Sequence, residues 1–389
     1  MPQRQNNTKQ TAAAKKANKT NKAISPKAQL SLMGFRIPIK FLPNHSKLRK
    51  LTIGLIVLVI FATSGMYGIS QWYIAKHRND PLKIGVTFIP SYAAYYGLDP
   101  KDTMKAMIND LGIRRFRLTS YWNYGEPQQG QYDFTDLDWQ FAKVAEAGGK
   151  VSLSIGLRQP RWPECHMPDW AKNLPESSWS MELKSYMGAV IARYKNNPVL
   201  ESYQLENEYF LAVFGQCPPS SRERLVDEFK YVKSQDSTHP VIVTRSNNAV
   251  PSWPVGQPRA DINGASIYKR VWDRTVTKRY FEYPLPSWYY AFLAGAAEIT
   301  TGNNTIIHEM QTEAWPPNGI LDSTIAEQDK SFKASQMHDR IKYGLDTGMR
   351  TVDLWGAEWW YWRKVKLNDP SLWDAARTEL QQLDSTHNY

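Results

Sequence analysis

"FTDLDWQFAKVAEAGGKVSLSIGL", residues 134–157, contains the pattern that decides the fold: a helical stretch closes on Gly-Gly, and a run of strand character follows at once. The alternation recurs on both sides. Upstream, "KIGVTFIP" (83–90) has strand character, and "IRRFRLTSYW" (113–122) is the next strand. Between them "DPKDTMKAMINDLG" (99–112) has an acid-rich start, Met104, Met107, Ile108 and Leu111 on one helical face, and a terminal Gly. Downstream, the helix "SMELKSYMGAVIARYKNNP" (180–198) leads into "VLESYQLENEYF" (199–210), and the helix "SSRERLVDEFKYVKSQ" (220–235) into "PVIVTRSNN" (240–248). The remaining strands are "DINGASIY" (261–268), "NTIIHEMQ" (304–311) and "RTVDLWGAEWW" (350–360), the last two separated by one long helical pattern over 324–349.

Strands alternating with helices require a parallel sheet, and eight such units in this length fit a closed (β/α)8 TIM barrel, an α/β fold, better than an open doubly wound sheet. No GxGxxG or Walker-type glycine loop supports the open sheet, and no cofactor motif is present. One domain, 76–389, is the economical division.

The formal charge of +11 suggests an acidic partner, but its distribution argues otherwise. Residues 1–50 hold 12 Lys or Arg and no acid, which leaves 36 bases against 37 acids over 51–389. That basic tail has the composition of a disordered cytoplasmic segment. It runs into "LTIGLIVLVIFATSGMYGISQWYIA", residues 51–75, which carry no charge. At about 1.5 Å per residue this is roughly 37 Å of helix, enough to cross a bilayer core of about 30 Å. The sequence therefore predicts a single-pass plasma-membrane protein with its N-terminus inside and its bulk outside. Trp72 and Tyr73 fall at the outer interface. A cleaved signal peptide fits less well, because the leader and the apolar stretch are both too long. The tail's expected partner is anionic lipid rather than nucleic acid.

Cys165 and Cys217 lie in proline-rich loops after two consecutive strands, and an even count in an oxidising compartment predicts a disulfide between them. Only His166 is near enough in sequence to join a zinc site, so neither a structural nor a catalytic metal is expected.

In a barrel of this type, catalytic groups come from the C-terminal ends of strands. The fourth strand ends in Glu206, Asn207 and Glu208, and Gln204, Glu206 and Glu208 share a face by strand alternation. Glu208 is nearest the mouth. Glu206, one pleat deeper, is expected to pair with Arg115 or Arg117. The seventh strand carries Glu309, and His308 beside it is expected to point the other way and pack on a helix. Two carboxylates held about 5–5.5 Å apart hydrolyse a glycoside with retention.

From about residue 83 to 365 the chain resembles the clan A retaining glycoside hydrolases, which include cellulase-like and β-galactosidase-like families. The likeness rests on "WNYGEPQQGQYDFTDLDWQFAKVAEAGGKVSLSIG" (122–156), "ENEYF" (206–210), "HEMQ" (308–311) and "DLWGAEWW" (353–360), each at the proper strand. It implies Glu208 as general acid and base, Glu309 as nucleophile, and Asn207 as the group holding the sugar 2-hydroxyl. It implies that Arg117 keeps the nucleophile charged and that Tyr268 stands beside it. Tyr209 occupies the place where the clan often has proline, and Glu313, four residues past Glu309, is the alternative nucleophile. Trp355, Tyr121 and Trp162 are candidates for stacking on a sugar face. The expected partner is an extracellular polysaccharide or oligosaccharide; the alternative is a carbohydrate-binding barrel that has lost turnover.

Overall fold

The computed structural model describes residues 31–32, 35–36, 46–211, 214–246 and 258–387. Most of the basic tail lies outside them. The chain divides into two compact units, Met1–Phe61 and Ala62–Tyr389. Within the first, Ser31–Leu32 pairs antiparallel with Phe35–Arg36, and a long helix begins.

The second unit is built on eight parallel strands closed into a barrel. In chain order these are β1 (Lys83–Thr87), β2 (Arg115–Thr119), β3 (Lys150–Ile155), β4 (Leu200–Leu205), β5 (Val241–Ser246), β6 (Ile262–Ile267), β7 (Thr305–Gln311) and β8 (Thr351–Trp355). Each pairs with the next, and β8 pairs with β1. With no edge strand, every ladder is internal. The helices Pro100–Asn109, Thr135–Glu146, Glu176–Tyr194 and Arg222–Gln235 follow β1 to β4, as the alternation predicts. Met104, Met107 and Ile108 are buried, and the Asp99 carboxylate accepts the Asp102 amide to cap the first of these helices.

The long helical pattern over 324–349 does not form one helix. It breaks into Ile325–Gln328, the 3-10 turn Ala334–Gln336 and Met337–Leu345. The break buries Phe332 completely and turns Ser331 inward, where its hydroxyl accepts the Trp315 amide at 2.8 Å. Burial of one large ring outweighs the modest helical preference of the intervening residues.

Polar side chains close the barrel floor. Arg115 donates to Asp353 at 2.9 Å and also pairs with Glu201, which holds Lys83 at 2.5 Å. Two residues along β2, Arg117 occupies the next layer toward the mouth and is fully buried.

The helix α1 (Ser46–His77) is longer than the sequence predicts, and its final turns belong to the barrel. Tyr73 is fully buried with its hydroxyl donating to Asn304 Oδ1 at 2.8 Å, so it is not an interfacial ring. His77 bridges Asp80 and Glu298 at 2.6 and 2.8 Å, and Lys76 reaches Glu298 at 2.5 Å. The apolar residues before these turns are exposed, Leu51 at 71% and Phe61 at 77%. Among the described residues α1 is the helix long and apolar enough to cross a membrane.

Candidate active site

The site is built around Arg117. Its Nη1 donates to Glu309 Oε1 at 2.9 Å, its Nη2 to Asn207 Oδ1 at 2.8 Å and its Nε to Gln204 Oε1 at 2.5 Å. One guanidinium on β2 thus fixes side chains from the mouth ends of β4 and β7 together. Being fully buried, it reaches the cleft through Glu309 and Asn207. Tyr268, just past β6, donates its hydroxyl to the other Glu309 oxygen at 2.8 Å. Glu309 therefore faces the cleft as a carboxylate clamped on both oxygens by donors.

The run Glu206–Glu208 departs from strand geometry. β4 ends at Leu205, and Glu206 and Glu208 take positive φ values of 55° and 44°. The three residues therefore do not alternate. Glu206 turns away from Arg115 and Arg117, and its two oxygens accept the Leu157 and Arg158 amides at 2.8 and 2.7 Å. It anchors the loop after β3 instead of pairing with Arg115 or Arg117. Glu208 points into the mouth, where the Ser266 hydroxyl donates to its Oε1. Its own amide donates to Thr244 Oγ1 at 2.9 Å.

A register shift between Ile307 and Glu309 in β7 decides the placement of His308. The extra residue turns His308 inward, in place of the expected packing on a helix. Its Nε2 lies 3.3 Å from Ser266 Oγ and 3.8 Å from Glu309 Oε1. Burial first, and then the Arg117 charge, hold its pKa well below the ordinary value, so the ring is neutral. Since Ser266 donates to Glu208, it accepts from Nε2–H. Ser266 and His308 thus stand between the two carboxyl groups, with Nε2 at 3.8 Å from Glu309 Oε1.

A third acid stands beside the pair. Glu164 is buried, accepts from Asn207 Nδ2 at 3.2 Å and lies 3.7 Å from Arg158 Nη2. Burial pushes its pKa up to about 8, Arg158 opposes, and the charges of Glu309 and Glu208 add to the rise. It is therefore protonated at neutral pH. The Cys165–Cys217 disulfide, formed as the sequence predicts, ties this loop to the one after β4.

The aromatic candidates separate. Tyr121 is buried, stacked on His166 at 3.5 Å, and its hydroxyl donates to Pro160 O at 2.5 Å, so it supports the loop and offers no free face. One face of Trp355 is covered by the Arg161 guanidinium at 4.0 Å, which also lies 3.5 Å from the Tyr92 ring. Arg161 in turn grips Glu313 through two bonds of 2.6 and 2.7 Å. Glu313 is thus occupied away from Glu309. Trp162 is 59% exposed and ends a file of rings running Tyr268, Trp315, Phe214 and Trp162, with centroids 5.4, 5.9 and 5.9 Å apart. Sequence reasoning did not select Ser266, Glu164, Arg161 or Trp315. Ser266 alone was within reach, since it lies two residues before Tyr268 and shares its face. Among the described residues no group of His, Cys, Asp and Glu has a metal-holding arrangement.

Solved structures share this architecture. An exo-β-1,4-mannosidase from Opitutaceae bacterium strain TAV5 superposes with a TM-score of 0.51 at 14% identity, covering 78% of this chain and 60% of the mannosidase. A GH5_18 protein from Bifidobacterium longum subsp. longum gives 0.51 at 11% identity, over 71% and 70%. What the likeness shows is the fold, a closed barrel of eight parallel strands. A GH5_18 protein from Streptomyces cattleya, solved in complex with GlcNAc, gives 0.50 at 11% identity over the same 71% and 70%. No family model and no curated protein matches the sequence.

Proposed function

We propose that the chain is a retaining glycoside hydrolase acting on a poly- or oligosaccharide outside the cell, held to the plasma membrane by the apolar part of α1. The observation that carries the reading is the convergence of Glu208 and Glu309 from β4 and β7 in unlike surroundings. Glu309 is held by Arg117 and Tyr268, whereas Glu208 accepts the Ser266 hydroxyl.

Glu309 attacks the anomeric carbon, the glycosidic C–O bond breaks, and the Glu208 proton passes to the leaving oxygen. Asn207, oriented by Arg117, has an amide N–H available for the sugar 2-hydroxyl. Water then gives a proton to Glu208 and attacks the anomeric carbon, releasing Glu309. The rings from Trp315 to Trp162 supply apolar faces on which further sugar units stack. The α1 residues ahead of the barrel contacts, 46–66, are about 30 Å of helix at 1.5 Å per residue; the uncharged run 51–66 supplies about 24 Å of it, and Lys47, Arg49 and Lys50 reach to the headgroups.

A screen of aryl glycosides and polysaccharides with the full chain in detergent, beside Glu208→Gln and Glu309→Gln, tests the proposal. Each substitution is expected to lower kcat on the cleaved substrate by at least about 10²-fold, the lower bound for losing a general acid, and NMR of the first product is expected to show the substrate's anomeric configuration. Inversion overturns the retaining mechanism. Sugar binding with no turnover in any of the three proteins means a non-catalytic carbohydrate-binding barrel.

A further inference from the structure

Residues 67–77 of α1 run along the helix α2 (Ser287–Thr301) in a definite direction. Tyr67 packs edge-on against Trp288 with centroids 5.8 Å apart, Ile69 and Tyr73 lie against Gly295, and Lys76 and His77 bind Glu298. α2 follows β6 and precedes β7, so it descends from the barrel's mouth to its floor. The final turns of α1 descend beside it. The chain therefore enters this unit at the mouth side.

Beside that point a hairpin rises from the mouth end of β6. Its strands Arg270–Trp272 and Tyr280–Glu282 are seated on the β7 loop by Gln311 Oε1, which accepts the Lys269 and Arg270 amides at 2.7 and 3.0 Å, and by the bond of Trp272 N to Trp315 O at 3.1 Å. Residues 269–282 hold five basic and two acidic side chains. Both acids are engaged: Asp273 accepts the Thr275 and Thr277 amides at 2.9 and 2.6 Å, and Glu282 pairs with Arg270 at 3.1 Å. The tip exposes Arg274, Lys278 and Arg279 around Val276, which is 84% exposed. An apolar tip ringed by cations suits the boundary of an anionic bilayer, where charge meets headgroups and the methyls meet the acyl edge.

We propose that the 270–282 hairpin rests on the headgroups of the bilayer occupied by the apolar residues upstream of Tyr67, so that the cleft opens on the membrane side and draws its saccharide from the layer at the bilayer surface. This rests on the membrane-anchoring reading above and is independent of turnover. Covalent attachment brings the rim to the surface, and the basic tip holds it there.

The test uses the full chain in nanodiscs containing phosphatidylglycerol and a headgroup spin-labelled lipid. Both native cysteines are in the disulfide, so a bimane is placed on Thr277→Cys at the tip or on Asn196→Cys, exposed at the floor between helix Glu176–Tyr194 and β4. Several-fold stronger quenching at the tip is expected, and adding Arg274→Glu, Lys278→Glu and Arg279→Glu is expected to abolish most of the difference. Equal quenching, or stronger quenching at the floor, in protein that co-purifies with the discs overturns the orientation. Tip quenching that survives charge reversal overturns the headgroup contact. Protein that does not enter the discs overturns the anchor and this proposal together. Loss of hydrolysis bears on none of these outcomes, so the glycosidase reading stands or falls separately.

Discussion

At the scale of single residues, the site depends on hydrogen bonds that fix which acid does what. Ser266→Ala removes the hydroxyl donor from Glu208 and the acceptor from His308 Nε2. Losing a bond of about 1.5 kcal/mol to a charged group corresponds to roughly a tenfold drop; kcat on an activated aryl glycoside should fall by about that factor with little change in KM. Glu164 supplies a second prediction, one about pH. Its carboxyl has an ordinary pKa of 4.5 unfolded and about 8 folded, so the fold binds the proton more tightly. Stability is therefore undiminished below 4.5 and falls as pH rises toward 8, by up to about 1.4 kcal/mol per unit. Glu164→Gln mimics the neutral acid and keeps an acceptor for Asn207. Its urea midpoint, followed by tryptophan fluorescence, should match the parent at pH 5 and exceed it at pH 8; equal midpoints at both values would show that Glu164 ionises freely. The sequence made Glu208, Asn207 and Glu309 visible because each sits where a strand meets the mouth. It did not reveal Glu164, whose position depends on positive φ in the loop after β3, 81° at Arg161 and 72° at Glu164. No alternation rule reads such a loop.

At the scale of elements, two irregularities do the positioning. The β7 register shift turns His308 into the barrel beside Glu309, and the end of β4 at Leu205 sends Glu206 to the loop after β3 while Glu208 enters the mouth. Strict period-two reading misassigned both His308 and Glu206, because a bulge or a left-handed turn resets the faces without changing the apolar pattern. The contacts that hold the loop after β3 include Glu206 beneath its first amides, Arg161 on Glu313, and the disulfide at Cys165. The cysteines are 52 residues apart, and a closed loop of that size contributes up to about 4 kcal/mol in the chain-entropy account. Replacing both by serine should lower the unfolding free energy toward that limit in denaturant titrations. It should also raise KM for oligosaccharides more than for a monosaccharide glycoside, since Trp162 rides on this loop and Phe214 on the loop the disulfide ties to it, while Glu309 and Tyr268 do not. Equal KM changes for both substrates would mean that the loop's rings bind no sugar.

For the molecule as a whole, the barrel was legible from sequence because eight apolar strands with intervening helices admit few closed arrangements. The limits of the free apolar segment were less so, since an uncharged helix does not announce which of its residues bury in protein and which stay exposed. Tyr73 reads as an interfacial ring in sequence and is a core ring in the fold. What holds that part of α1 to the barrel is packing against Gly295, where a Cβ would meet Ile69 Cγ2 at 2.9 Å, and the Glu298 cluster with Lys76 and His77. Burial opposes ionisation of Glu298, but its bonds to Lys76 and His77 outweigh that, and its pKa lies below the ordinary 4.5. The cluster's contribution is therefore complete above 4.5 and is lost as pH falls through the lowered value. Hydrogen exchange at the amides of 67–77 in the full chain should accelerate below that pH, ahead of exchange in β1 to β8. Glu298→Gln should show the faster exchange at neutral pH and lose the pH dependence. Should the acid-induced opening persist unchanged in Glu298→Gln, the dock would owe its strength to the apolar contacts at Gly295, and Gly295→Val, which forces Ile69 away, would be the substitution that frees the helix.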